Sequence, residues 1–297
     1  AWEGCVETRP YPYNVSDEAP SRSNAATLFV PMFAPDAAEN DWWPDNGGNT
    51  ALDRQKNMTK YFLPSFNTPP ANGGPNFSCT TTAILPMTDV STQTGITEVK
   101  RAIGNMRSNG NTNVPEGMAW GWRVLSSQEP FTDGRSEKER GNDKVVIVLT
   151  DGQNTYTALR RSDDGADNRS RYASYGYAGV DYNKGTDKPR IFMGTDLSRN
   201  SSSYTEAMNQ HFEKLCDNAK EAGLIVMTVA LDLKTATADE RGNQAQIDAL
   251  SACASDSRFR KGEDGKAAKL FWNSTGATLA EDFRSIADEL SNLRIVK

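Results

Sequence analysis

Val145-Val146-Ile147-Val148-Leu149-Thr150-Asp151-Gly152 decides the fold. Four of its five leading apolar residues are β-branched, which favours extended backbone. No polar residue alternates with them, so the stretch predicts a strand buried on both faces of a parallel sheet, not one with a wet side. Gly152 permits a tight turn directly after it. The strand therefore aims Asp151 at the carboxyl rim of the sheet, where open α/β sheets place their ligands.

Working outward, Leu224–Leu231 is a second apolar run and Lys269–Trp272 a short third. Between and after them lie helical spacings: Ala207, Met208, His211, Phe212, Leu215 and Cys216, then Ile247, Leu250 and Cys253, then, past the third run, Leu279, Phe283, Ile286, Leu290 and Leu293. Gly223 stands where the first of these should end. Upstream, Ile96, Val99, Ile103 and Met106 share one helical face, and Pro115 opens a helix bearing Met118, Ala119, Trp122 and Leu125. Alternating strands and helices predict an α/β fold: a doubly wound, mostly parallel sheet with loop-rich insertions. Residues 81–297 form that body, interrupted by a polar, Tyr/Gly/Asp-rich insertion at about 156–204. Residues 1–80 are rich in Pro, Asn, Gly and aromatics and are expected to be a loop-rich excursion, with one strand at Thr27–Phe33 broken by Pro31.

Composition narrows the function. Lys+Arg number 33 against 39 Asp+Glu, a net charge of −6, which disfavours nucleic acid and anionic membrane surfaces as partners. The single histidine, His211, falls on an apolar helical face and is expected to be structural. A hydrolytic triad would need it, and no nucleophile elbow accompanies it, so no enzyme is expected. No apolar run approaches a membrane span. Cys5, Cys79, Cys216 and Cys253 form no C-x-x-C pair and fit two disulfides in an oxidising compartment. Cys216 and Cys253 lie on helices flanking one strand and are expected to pair. Cys5–Cys79 would then close the excursion. The sequons at Asn14, Asn57, Asn76, Asn168, Asn200 and Asn273 carry little weight in a chain rich in Asn, Ser and Thr. Trp42-Trp43, the charged stretch Arg160–Arg171 and the tyrosines Tyr172, Tyr175, Tyr177 and Tyr182 are expected to serve packing, solvation and at most a protein contact.

A second rim loop, Asn109-Gly110-Asn111-Thr112-Asn113, precedes Pro115. Thr112 and Asp151 on neighbouring loops make a hard oxygen pair suited to Mg²⁺ or another divalent cation. Gly110-Asn111-Thr112-Asn113, Glu116-Gly117 and Val146–Gly152 resemble the second half of a von Willebrand factor A domain, in which a Thr and an Asp complete the metal-ion-dependent adhesion site. Trp2-Glu3-Gly4-Cys5-Val6-Glu7, Thr27–Asp36, Ile84–Thr88, Glu116–Ser126 and Leu250–Ser255 resemble TadG-like proteins of tight-adherence (Tad) pilus assembly. The resemblance implies a bacterial cell-envelope protein, periplasmic or at the cell surface, that binds a protein of the pilus or adhesion machinery through its A domain.

The resemblance breaks at one place. The family's central strand ends in Asp-x-Ser-x-Ser and supplies most of the cation ligands, and no such motif occurs here. Asp89-Val90-Ser91-Thr92-Gln93 comes nearest but ends in Gln, and Asp196-Leu197-Ser198-Arg199-Asn200 fails similarly. The family order implies that the central strand and a membrane anchor lie upstream of Ala1, or that another chain donates the strand. It also implies a chain that is stable only when that strand is supplied. The other expectation is a structural or filament-forming surface protein in which the cation site is lost.

Overall fold

The structure, a computed structural model of the 297-residue chain, describes residues 1–36, 40, 74–79, 81–136, 139–156, 172–177, 188–197, 203–235 and 241–293. Trp42-Trp43, Arg160–Arg171, Tyr182 and the sequons at Asn57, Asn168 and Asn200 lie outside the described residues. The chain divides into two compact units. One comprises Ala1–Tyr11, Pro20–Gly110 and Thr157–Tyr204, and the other Pro12–Ala19, Asn111–Tyr156 and Thr205–Lys297.

The second unit holds the sheet. Its elements begin with α2 (Val114–Leu125) and β1 (Val145–Thr150), following α1 (Gln93–Asn105) of the first unit. The first unit contributes the short β2 (Tyr172–Ala173) and β3 (Gly176–Tyr177). Then come α3 (Tyr204–Glu221), β4 (Ile225–Leu231), α4 (Arg241–Cys253), β5 (Asp256–Lys261), β6 (Ala267–Lys269), β7 (Phe271–Ser274) and α5 (Leu279–Leu293). Strands β1, β4 and β7 form a parallel sheet in the order β1-β4-β7. The result is a mixed α/β fold compatible with a Rossmann-like arrangement. Strands β5 and β6 make a separate antiparallel pair. Asp256–Lys261, with its sequence Asp-Ser-Arg-Phe-Arg-Lys, lacks the apolar run by which the other strands are recognised.

Strand β4 is central, and its six residues Ile225–Ala230 are buried. Because side chains alternate across a strand, its two faces serve different layers. Ile225, Met227 and Val229 pack with Leu270, Trp272 and the α5 residues Ile286 and Leu293. On the opposite face Thr228 donates its hydroxyl proton to the Leu250 carbonyl of α4 at 2.8 Å. A Cys216–Cys253 disulfide joins α3 to α4, and both sulfurs lie against Met118 of α2 at 3.8 and 4.0 Å. His211 is fully buried within α3, on the apolar face where the sequence places it.

The segment Pro12–Ala19 belongs to this unit because α2 and α3 hold it. Arg123 of α2 is 1% exposed, lies over the Trp120 ring at 4.9 Å and donates to the Tyr13 and Ser16 carbonyls. Asn218 of α3 donates to the Val15 carbonyl at 2.8 Å, and Ser126 donates to Asp17 at 2.9 Å. Asn14, one of the sequon asparagines, is buried here.

The first unit is held by polar ties and a Cys5–Cys79 disulfide. Glu7 accepts from Arg190 at 2.6 Å and from the Tyr172 hydroxyl at 2.7 Å. Burial first, and the bond to Glu7 second, push the Tyr172 phenol well above its usual range. Thr27–Phe33 does not form the expected strand. Thr27 ends a 3₁₀ turn, and among the described residues two bonds, Glu7 N–H to Val30 O and Met32 N–H to Cys5 O, link this stretch to another segment in ladder fashion. Pro31 between them has no N–H to extend the ladder. Asp89-Val90-Ser91-Thr92-Gln93 is the start of α1. Asp89 accepts from the Ser91 N–H, and the Thr92 hydroxyl caps the helix by accepting from the Gly95 N–H. A side chain on Gly95 would collide with the Asp89 carbonyl.

Candidate functional site

At the carboxyl end of β1 the chain turns through Thr150-Asp151-Gly152, with the Thr150 hydroxyl donating to Gly152 O at 2.8 Å. The Asp151 side chain is exposed at this rim. The Thr112 loop lies beside it. Thr112 N–H donates to the Thr155 hydroxyl at 2.9 Å, and Thr155 N–H donates to the Thr112 carbonyl at 3.0 Å. A Cβ placed on Gly152 would stand 3.6 Å from the Thr112 Oγ1. The structure thus brings the Thr112 hydroxyl to the Asp151-Gly152 turn.

Asn154 fixes both loops. It is fully buried, accepts at Oδ1 from the Val114 N–H at the start of α2, donates from Nδ2 to Asn209 of α3 at 2.7 Å, and offers its N–H to Gln246 of α4 at 3.0 Å. Asn113 caps α2 by accepting from the Glu116 N–H. Sequence reasoning passed over Asn154, because an Asn two residues past a turn Gly has the look of loop chemistry. A second rim carboxylate, Asp232 after β4, accepts from the Gly276 N–H.

Thr112 and Asp151 offer two hard oxygens, which fit Mg²⁺ only as a partial set that leaves most positions to water or another donor. Among the described residues no group of three or more His, Cys, Asp or Glu side chains is gathered.

The edge of β1 departs from expectation. Its apolar run predicts burial on both faces, yet Ile147 is 40% and Leu149 44% exposed. Val146, Val148 and Thr150 point the other way, toward α2, and are buried. Strand β1 is an edge strand, paired only to β4 among the described residues. The Lys144 carbonyl accepts from the Ile225 N–H, so Lys144, Val146 and Val148 turn their backbone groups toward β4. In a parallel pair the next residues, Val145, Ile147 and Leu149, turn theirs away from it. Along this edge runs a groove of about 330 Å³. Val114, Gly117, Met118 and Gly121 of α2 form one wall and Val146–Thr150 the other, with Thr112 and Asn113 at the rim end.

No family model, curated protein or solved structure matches the chain. No helix among the described residues is long and apolar enough to cross a membrane. The two disulfides fit an extracytoplasmic compartment.

Proposed function

We propose that this chain is a non-enzymatic cell-envelope protein of Tad-type pilus assembly or adhesion. It binds a protein partner at the rim of a von Willebrand factor A-like unit. The observation that carries the reading is the approach of the Thr112 hydroxyl to the Asp151-Gly152 turn at the carboxyl end of β1. An exposed carboxylate and a hydroxyl there suit a divalent cation that keeps open positions. Such a cation would accept a carboxylate from the partner, while Asn154 holds the two loops in place. The burial of His211, the chain's one imidazole, supports a binding role over general acid–base chemistry.

The experiment is partner binding by envelope extracts with and without chelator, beside the Asp151→Ala variant. Loss of binding in both is the expected result, since a bridge through the cation needs metal and carboxylate alike. Binding that survives chelator and Asp151→Ala removes the cation from the reading.

A second reading has one observation in its favour: the sequence holds no Asp-x-Ser-x-Ser motif. In it the chain is a structural or filament-forming surface protein, the cation site is lost, and another chain supplies a strand.

A further inference from the structure

We propose that Cys5–Cys79 is an exchange site: a disulfide that a thiol–disulfide oxidoreductase opens in the folded chain, whereas Cys216–Cys253 is a structural tie. The inference goes beyond the rim reading and needs no cation, because it rests on the different surroundings of the two bonds.

Access separates them first. Cys216 is 1% and Cys253 2% exposed, and both sulfurs lie against Met118. A thiolate reaches them only if α2, α3 and α4 part. Cys5 and Cys79 are each partly exposed. Exchange requires the attacking sulfur to touch the sulfur it bonds, so access governs its rate.

Backbone strain separates them second. The Cys79 N–H donates to the Asn76 carbonyl at 2.9 Å and closes a turn whose third residue is Ser78. Ser78 stands at φ +71°, a left-handed conformation that turns of this kind reserve for glycine or asparagine. Ala34, whose N–H donates to the Pro75 carbonyl at 2.6 Å, stands at φ +51°. Two L side chains are thus held left-handed, one next to Cys79 and one in the segment bonded to its turn, and each costs free energy. Opening the bond lets the Ser78 turn relax. Strained and exposed disulfides are the more readily reduced ones.

Third, the ties beside the bond are slight. Glu3 N–H donates to Asn76 Oδ1 at 3.2 Å and Asn76 Nδ2 donates to the Ala1 carbonyl at 2.9 Å, both exposed to water. Cys216 and Cys253 instead sit on packed helices that keep their sulfurs opposed and favour closure. Thr81 completes the exchange site. Its hydroxyl lies 4.0 Å from Cys5 Sγ and can donate to a thiolate formed there. Attack therefore falls on Cys79. The oxidoreductase thiolate bonds Cys79 Sγ, the S–S bond breaks, and its electron pair leaves on Cys5 Sγ, which takes up a proton. The second thiolate of the oxidoreductase then displaces Cys79 Sγ, which is protonated in turn. The oxidoreductase ends oxidised to a disulfide, and this chain ends with two thiols.

The test treats the full, disulfide-bonded chain with reduced glutathione, quenches it by alkylation at intervals and maps the labelled cysteines by mass spectrometry. Cys5 and Cys79 should be labelled at least about tenfold faster than Cys216 and Cys253, with the circular dichroism spectrum preserved. A thioredoxin-type oxidoreductase whose second cysteine is replaced by serine should be trapped on Cys79 and not on Cys5. Ser78→Val tests the strain, because a β-branched residue tolerates the left-handed region least. It should speed the opening of Cys5–Cys79 by more than about threefold and leave Cys216–Cys253 unchanged. A Ser78→Val chain isolated with Cys5 and Cys79 already reduced is the same result at its limit. Equal rates for the two bonds, faster opening of Cys216–Cys253, unfolding as Cys5–Cys79 opens, or trapping on Cys5 overturns the proposal. So does a Ser78→Val chain reduced at the parent's rate.

Discussion

Replacing Cys216 and Cys253 together by alanine lowers the unfolding free energy of the sheet unit by about 4 kcal/mol. The bond closes a loop of 37 residues' separation, and the chain-entropy cost of that closure is removed from the unfolded state in advance. Few contacts replace it. Its sulfurs are buried against Met118, so the double alanine also opens space where α2, α3 and α4 meet. Against a total stability of 5–15 kcal/mol typical of single domains, a loss of about 4 is a large share. Urea unfolding followed by hydrogen exchange of the buried β4 amides reads it as a drop in midpoint. An unchanged midpoint would mean that α3 and α4 are held without the bond. The Cys5–Cys79 pair is the internal comparison. It lies in the other unit, and its removal should leave the β4 transition in place.

Arg123→Met should cost about 3 kcal/mol, although methionine fits a helix interior well. The guanidinium is buried over Trp120, and its donors reach the Tyr13 and Ser16 carbonyls and Glu116 at 3.7 Å. Burial alone pulls its pKa below the usual arginine value, and the Glu116 and Asp17 charges act the other way. Removing it loosens Pro12–Ala19 and takes the guanidinium from beside Glu116. Arg123→Lys should recover only part of the loss, since a compact ammonium lacks the planar face that lies over the Trp120 ring. The measurement is the urea midpoint together with protease cleavage between Pro12 and Ala19, which should appear in Arg123→Met and be absent from the parent. Equal midpoints and equal resistance to cleavage would show that the segment is anchored elsewhere.

The two tie points were not equally visible in the sequence. Strands β1 and β4 announce themselves by unbroken apolar runs, and the helices α1 to α5 by apolar residues at helical spacing. These signals are strong because burial selects for them directly. The β5–β6 pair was missed because Asp256–Lys261 earns its place by hydrogen bonds: buried Ser257 donates to Glu289 at 2.6 Å, and Arg260 pairs with the same carboxylate at 3.0 Å. Periodicity does not see such ties. The attachment of Pro12–Ala19 to the sheet unit was invisible for a related reason. It depends on polar side chains of α2 and α3, Arg123, Ser126 and Asn218, and such residues within a helix read as solvated until their neighbours are known.

At the candidate site, Thr112 and Asp151 were legible because Thr-Asn-Val-Pro and Val-Leu-Thr-Asp-Gly mark a helix start and a strand end. Asn154 was not, because its role requires three helices to converge on it. The open edge of β1 was the opposite case. The sequence predicts an interior strand, and among the described residues β1 stands at an edge of the sheet. That mismatch, more than any motif, identifies the groove. Leaving Ile147 and Leu149 in water forgoes on the order of 1–2 kcal/mol for each that full burial would supply.

The account's central claim is that β1 is an interior strand with one side open. Residue-resolved hydrogen exchange of the chain alone tests it most directly. Amides of Val146 and Val148, which face β4, should exchange as slowly as those of β4 itself. Amides of Ile147 and Leu149, which face the groove, should exchange at least about a hundredfold faster. Uniform protection along Val145–Thr150 would contradict the claim, because the edge would then already have a partner.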